Sequence, residues 1–252
     1  MIERADRQPA EASLQSHNRA FYDDLWRDSD LIDPGRFNTW PLVQELVAQS
    51  RQHLEVAPGL RPRLPLQGTH FVDISYKAMV RFCAAGAAAV TGLVNALPFS
   101  DGSFDLVCAF DIVEHVEDDE AAMQELARVS SAQATLLISV PLHQAAWTPF
   151  DDFVGHHRRY EPQALEALLA RHGFQVERSA VYGMQPSSSR LLDLGMWFLT
   201  HQRERAMWWY NRVIMPLGIR MQKDLVWQDG LVDDTDVDTV VAVCRKTKEP
   251  SD

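Results

Sequence analysis

The sequence predicts an α/β protein built on a doubly wound, mostly parallel sheet of seven strands. Three observations carry this. Short apolar runs alternate with helical spacing from residue 53 to residue 173. The run ATLLISVPL is apolar almost throughout, as expected of a strand covered by helices on both faces. Two late strand patterns, FQVERSAVYGM and DVDTVVAVCRK, read as a terminal antiparallel pair.

Each element follows from its own stretch. Residues 1 to about 15 look frayed, and LQSHNRAFYDDLW then has helical spacing, with Leu14, Ala20, Phe21 and Trp26 as core contacts. RDSDLIDPGRFN is a loop turning at Pro34-Gly35. WPLVQELVAQS is a second helix with Pro41 in its first turn. HLEVA and THFVDIS are the first two strands. Between them LRPRLPL carries Pro62 and Pro65, which lack N–H donors, so the linking helix is expected to shrink to an irregular segment. SYKAMVRFCAAG is a helix, AAVTG and SFDLVCAF are strands three and four, and DDEAAMQELARVS is the next helix. ATLLISVPL is strand five, and EPQALEALLARHG is a helix closed by Gly173. One domain spans residues 1–252: N-terminal helices over 1–50, a core over 51–184, a helical lid over 185–235, and the last strand over 236–248. The insertion is rich in Trp, Met and Arg and reads as two helices over the sheet edge, with a homodimer contact as a further use.

Composition narrows the function. The 252 residues carry 46% hydrophobic and 23% charged residues and a formal net charge of −11. That average field repels nucleic acid. Cys83, Cys108 and Cys244 are odd in number and set in apolar surroundings, the pattern of buried free thiols in a reducing compartment. The N-terminus lacks the apolar run of a signal peptide, and no stretch approaches the ~20 apolar residues of a membrane span. The expectation is a soluble cytoplasmic protein without stable membrane insertion.

In such sheets a ligand binds at the carboxyl ends of the strands. LPFSDGSFDLVCAFDIVEHVED, followed about forty residues later by GHHRRYEPQALEALLARHGF, resembles the class I S-adenosylmethionine-dependent methyltransferases. The likeness is strongest to a bacterial group with EHV and G-H-x-R-R-Y segments, and it covers about residues 50 to 185 plus the last strand. It implies a methyltransferase-like Rossmann fold with S-adenosylmethionine as cofactor and S-adenosylhomocysteine as product. It also implies that Glu55 supports the loop holding the methionine end, together with Val56, Ala57 and Gly59. Asp73, with Ile74, would clasp the ribose. Leu93, Val94 and Asn95 would border adenine, and Phe110 and Asp111 would flank the methionine part. The family's three glycines read here Ala57, Gly59 and Arg61. The Ala57 methyl is accommodated if its φ is negative. Leu93 stands where an acid usually receives the adenine amino group, a loss of ~1 kcal/mol.

Bland readings stand beside these. Asp73 would equally cap the following helix. His115, His143 and Tyr160 are the candidates for proton handling, although in the family the EHV histidine is often structural. His156, Arg158, Arg159 and Tyr160 suit an anionic substrate, Arg giving bidentate contacts, or else form a helix entrance with Glu161 at the cap. Asp151, Asp152, His156 and His157 have the elements of a metal site but match no ligand spacing, so no metal is expected. The reading is methyl transfer to a small-molecule or lipid/glycan-linked acceptor. The alternative is a binding or scaffold module that has lost cofactor affinity. A dinucleotide-dependent dehydrogenase would want the full glycine turn, which this chain lacks.

Overall fold

The computed structural model describes residues 29–182, 201, 202, 205, 208–232 and 237–247. The expected first helix and nearly half of the expected lid, including residues 185–200, lie outside them. The elements are α1 (Trp40–Ala48), β1 (His53–Val56), β2 (Thr69–Asp73), α2 (Tyr76–Ala84), β3 (Ala88–Thr91), β4 (Phe104–Phe110), α3 (Asp119–Val129), β5 (Ser130–Pro141), α4 (Pro149–Val154), α5 (Pro162–Arg171), β6 (Phe174–Tyr182), α6 (Met215–Arg220), β7 (Gln228–Asp229) and β8 (Thr239–Lys246).

The strands form one sheet in the order β3-β2-β1-β4-β5-β8-β6-β7. The first five pair in parallel, and β8 enters antiparallel between β5 and β6. All seven expected strands are present. The eighth, β7, is a two-residue edge strand, too short to leave a period in the sequence.

Apolar residues fall on two faces. Leu54, Val56, Val107, Ile138 and Ala242 meet Met123 and Leu126 of α3 and Leu165 and Leu169 of α5. On the other face Leu106, Cys108, Leu137 and Val243 meet Leu42, Val43 and Leu46 of α1. Phe71 packs against Met79 and Phe82 of α2. Cys83 is exposed, whereas Cys108 and Cys244 are buried, so one thiol departs from the expected burial. It sits on the solvent side of α2, a face that periodicity alone left unassigned.

Parallel strands need a crossover of about a dozen residues, usually a helix. Residues 57–68 make the β1-to-β2 crossover without one. Pro58, Pro62 and Pro65 explain why. Fully buried Leu60 and Leu64 plug the space a helix would cover. This irregular crossover sets the geometry of everything at the carboxyl edge.

Candidate functional site

The edge starts with Glu55, wholly enclosed in β1. Its carboxylate accepts the backbone N–H groups of Arg63 (2.8 and 3.0 Å) and Leu64 (2.8 Å). A side chain therefore does what helical carbonyls would otherwise do for the crossover. Burial pushes the Glu55 carboxyl up to about 7, against the opposing pull of these N–H groups and the Arg63 charge.

Ala57 follows with a φ of 56° and Gly59 with 57°. The condition of a negative φ at Ala57 is thus not met: the turn demands a left-handed residue, and alanine occupies it under strain. Ala57→Gly should relieve that strain. Less the extra freedom glycine has when unfolded, the net gain is about 0.5–1 kcal/mol, or ~2 °C in Tm. Thermal unfolding checks it, and a loss of similar size would show that the alanine sits comfortably.

Asp73, 6% exposed at the end of β2, accepts the N–H of Gly59 (2.9 Å) with one oxygen and that of Ser75 (2.7 Å) with the other. Its role as a helix cap is corrected: Ser75 caps α2, accepting from the Ala78 N–H. Asp73 instead couples the β1 turn to the β2 end, with Ile74 half-buried beside it. Past β3, Gly92 donates to the Asp73 carbonyl (3.0 Å). A Cβ there would come within 2.7 Å of Val72, so glycine lets this segment lie against β2. Leu93 and Ala96 then bridge, leaving Val94 buried and Asn95 exposed at the turn.

The end of β4 repeats the β1 geometry. Asp111 has a φ of 49°, and its carboxylate accepts the Ser139 hydroxyl at 2.6 Å. Phe110 lies below it, packed edge-to-face on Tyr182 with centroids 5.5 Å apart. Between these rings sits a residue the sequence reading missed. The Arg63 guanidinium stands 3.8 Å from the Phe37 ring centroid, 5.3 Å from that of Phe110 and 5.8 Å from that of Tyr182. It is buried, and among the described residues its Nε and Nη1 meet no acceptor. Aromatic faces and the nearby Glu55 charge offset its burial. Its only sequence signal was an arginine among prolines.

The second group comes from the turn after β4 and the segment 143–160. Val113–His115 form a short 3-10 turn, and the His157 N–H donates to the Glu114 carbonyl (2.8 Å), docking the two segments. His115 is partly buried, and burial together with the adjacent His156 ring lowers its pKa to about 3. A ring so weakly basic is a poor proton acceptor at neutral pH. His143 has a φ of 60° and faces Glu161 at 3.4 Å, while Glu161 also accepts the Gln144 N–H instead of capping α5.

The remaining candidates turn inward. Tyr160 is 5% exposed and donates its hydroxyl to Asp119 (2.9 Å); burial and that carboxylate push its pKa far up. It is a tie to α3 rather than a proton carrier. Arg158 pairs with Asp119 (2.6 Å) and donates to the Val116 and Glu117 carbonyls. Arg159 has a fully buried side chain clasping Asp151 (2.9 and 3.1 Å) and Asp238 (2.6 Å). The anionic-substrate reading of Arg158 and Arg159 is corrected accordingly: their donors are spent on the protein's own acids and carbonyls. His156 is the member of that group which faces Glu114 and His115.

Comparisons with known proteins agree with this frame. A family model described as a methyltransferase domain matches residues 61–138. Over 104 residues the chain is 34% identical to ajmaline N-methyltransferase of Rauvolfia serpentina, covering 37% of this chain and 33% of that enzyme. Over 143 residues it is 30% identical to malonyl-[acyl-carrier protein] O-methyltransferase of Erwinia billingiae (strain Eb661), covering 49% and 57%. The chain thus spans between a third and somewhat over half the length of these curated relatives. A Thermotoga maritima structure, titled a SAM-dependent methyltransferase and possible histamine N-methyltransferase, superposes with a TM-score of 0.56 at 16% identity over 98% of both chains. A [4+2]-cyclase superposes with a TM-score of 0.54 at 17% identity, over 82% of this chain and 79% of its own. The fold therefore hosts more than one reaction. The chain thus shares the fold of solved S-adenosylmethionine-dependent methyltransferases, and over residues 61–138 its sequence matches the methyltransferase-domain family model.

Proposed function

We propose that the chain transfers a methyl group from S-adenosylmethionine to a small-molecule or lipid/glycan-linked acceptor. One observation carries the reading. Two non-glycine residues, Ala57 and Asp111, are held in the left-handed region just beyond the ends of β1 and β4, which lie side by side with Val56 opposite Ala109. Strain of this kind persists where surrounding structure over-determines it, typically at ligand sites. Sheets of this kind bind ligands at the carboxyl ends of their strands, which is where both residues stand.

The residues present fit the cofactor. Asp73 offers carboxylate oxygens for ribose hydroxyls beside the Gly59 turn. Glu55 holds the crossover so that Ala57 and Gly59 keep their shape, and Phe110 stands next to Asp111 at the end of β4, packed on Tyr182. Val94 and Asn95 border the adenine side without an acid. When bound, S-adenosylmethionine supplies an electrophilic methyl group on its sulfonium. The chain's own part is to position the acceptor and exclude water. Tyr160 and His115 hold no readily moved proton near neutrality, so an acceptor that must lose one needs another route, with His143 the remaining side chain.

A second reading, a binding module without cofactor, is favoured by one feature: both Asp73 oxygens already take backbone N–H groups. Calorimetric titration with S-adenosylmethionine and S-adenosylhomocysteine separates the two. Micromolar binding is expected, weakened about 10- to 100-fold in Asp73→Ala, the worth of charged hydrogen bonds to the ribose. No heat from protein shown to be folded would select the binding module.

A further inference from the structure

A carboxylate enclosed by protein without a partner is costly, and its persistence calls for an explanation. Glu114 is wholly buried, and among the described residues neither of its side-chain oxygens meets a hydrogen-bond donor from another residue. Its polar neighbours include two imidazoles, with Asp111, Asp151 and Arg159 acting on it from further out. His156 Nε2 lies 3.9 Å from Glu114 Oε1, beyond hydrogen-bond reach. A ring nitrogen of His115 completes a group in which one ligand atom from each residue lies within 4.8 Å of the others.

The second layer is ordered as well. His156 Nδ1 is 2.8 Å from Asp151 Oδ1. Arg159 and the Thr148 N–H (2.7 Å) fix Asp151 in turn. With Nδ1 engaged by a carboxylate, the Nε2 lone pair points toward Glu114. The backbone carbonyls of Gly155 and Val154 draw on the His115 ring, and the two rings meet edge-to-face with centroids 4.5 Å apart.

We propose that Glu114, His115 and His156 form a binding site for a divalent transition cation, with Zn2+ the best match. Two imidazoles and one carboxylate are a known zinc ligand set that leaves a position open. The carboxylate–histidine pair of Asp151 and His156 is the usual support of such a ligand. Tetrahedral zinc with bonds of about 2.0–2.2 Å holds its ligand atoms ~3.3–3.6 Å apart, so the group, now within 4.8 Å, closes by up to about 1.5 Å on binding. A cation there gives the Glu114 carboxylate the partner it lacks. Asp152 and His157, which share the acidic and imidazole-rich stretch, stand outside the group, and the turn after β4 supplies the other two ligands. Two of the ligands belong to the turn that follows Asp111, so an open ligand position there would suit an acceptor bearing a hydroxyl or carboxylate oxygen. That last point rests on the methyltransferase reading; cation binding does not.

The test uses the full chain, stripped with chelator and titrated with Zn2+ against a chromogenic competitor, in the absence of S-adenosylmethionine. About one tight ion per chain is expected, weakened about a hundredfold or more in Glu114→Gln and in His156→Gln, since even a supporting residue is worth 10- to 100-fold. Co2+ added to the wild type provides a readout independent of the variants' folding. An intense visible spectrum of low-coordinate cobalt supports the site, and the weak spectrum of the aqueous ion overturns it. Zn2+ binding equal in wild type and in a folded double variant also overturns it. Cofactor titration of the metal-free protein separately tests the methyltransferase reading, so either idea can fail alone.

Discussion

Arg159→Met is expected to destabilise the protein by about 3–5 kcal/mol, the usual cost of removing one partner of a buried ion pair. The methionine fills much of the volume, so the loss is electrostatic. Asp151 would stay fully buried with only the Thr148 and His156 contacts, and Asp238 would lose its 2.6 Å partner. Arg159 also reaches the Leu142 carbonyl at 3.3 Å, so it joins the end of β5, α4 and the lead-in to β8. For a chain of this size the change lowers Tm by roughly 10 °C. Urea or thermal unfolding measures it. A change within ~0.5 kcal/mol would mean that the arginine works at the surface, as a substrate ligand would. Adding Asp151→Leu to Arg159→Met should cost less than the sum of the two single changes, because each breaks the same pair.

Stability should also fall as pH rises from about 4.5 to about 7, and Glu55→Gln should remove that part of the dependence. Glu55 titrates near 4.5 in an unfolded chain and near 7 when folded. Below 4.5 it is protonated in both states, so the full stabilising contribution is present. Between the two values the unfolded chain sheds a proton that the folded chain keeps, and stability declines. Above about 7 the decline stops. At ~1.4 kcal/mol per pH unit the interval amounts to about 3 kcal/mol. Chemical unfolding of wild type and Glu55→Gln across this range provides the check. Parallel profiles would show that the Arg63 and Leu64 N–H groups hold the carboxylate ionised, offsetting its burial.

Most of the fold was legible along the chain. HLEVA, THFVDIS and ATLLISVPL form strands where their apolar runs place them, and α1, α2, α3 and α5 follow their helical spacing. These signals are local: side-chain period and backbone preference act over a few residues. The same holds for the missing crossover helix, since proline removes N–H donors wherever it stands. Glu55 and Asp73 stood out as candidates because an acid ending an apolar strand is conspicuous.

The site chemistry was less legible because it depends on distances between remote residues. Arg158 and Arg159 look like ligands in GHHRRY until Asp119, Asp151 and Asp238 are found to hold them. Tyr160 looks like an acid until Asp119 is found at its hydroxyl.

The sequence by itself determined seven of the strands, the helices α1, α2, α3 and α5, the irregular crossover and the acidic ends of β1 and β2, because each depends on neighbours within a few positions. Only the tertiary structure decided the left-handed turn at Ala57, the aromatic enclosure of Arg63, and the meeting of Glu114 and His115 with His156 about forty residues on. Those outcomes depend on which strands lie side by side and in what register. Pairing across the sheet and desolvation by distant elements set them, and neither leaves a period in the chain.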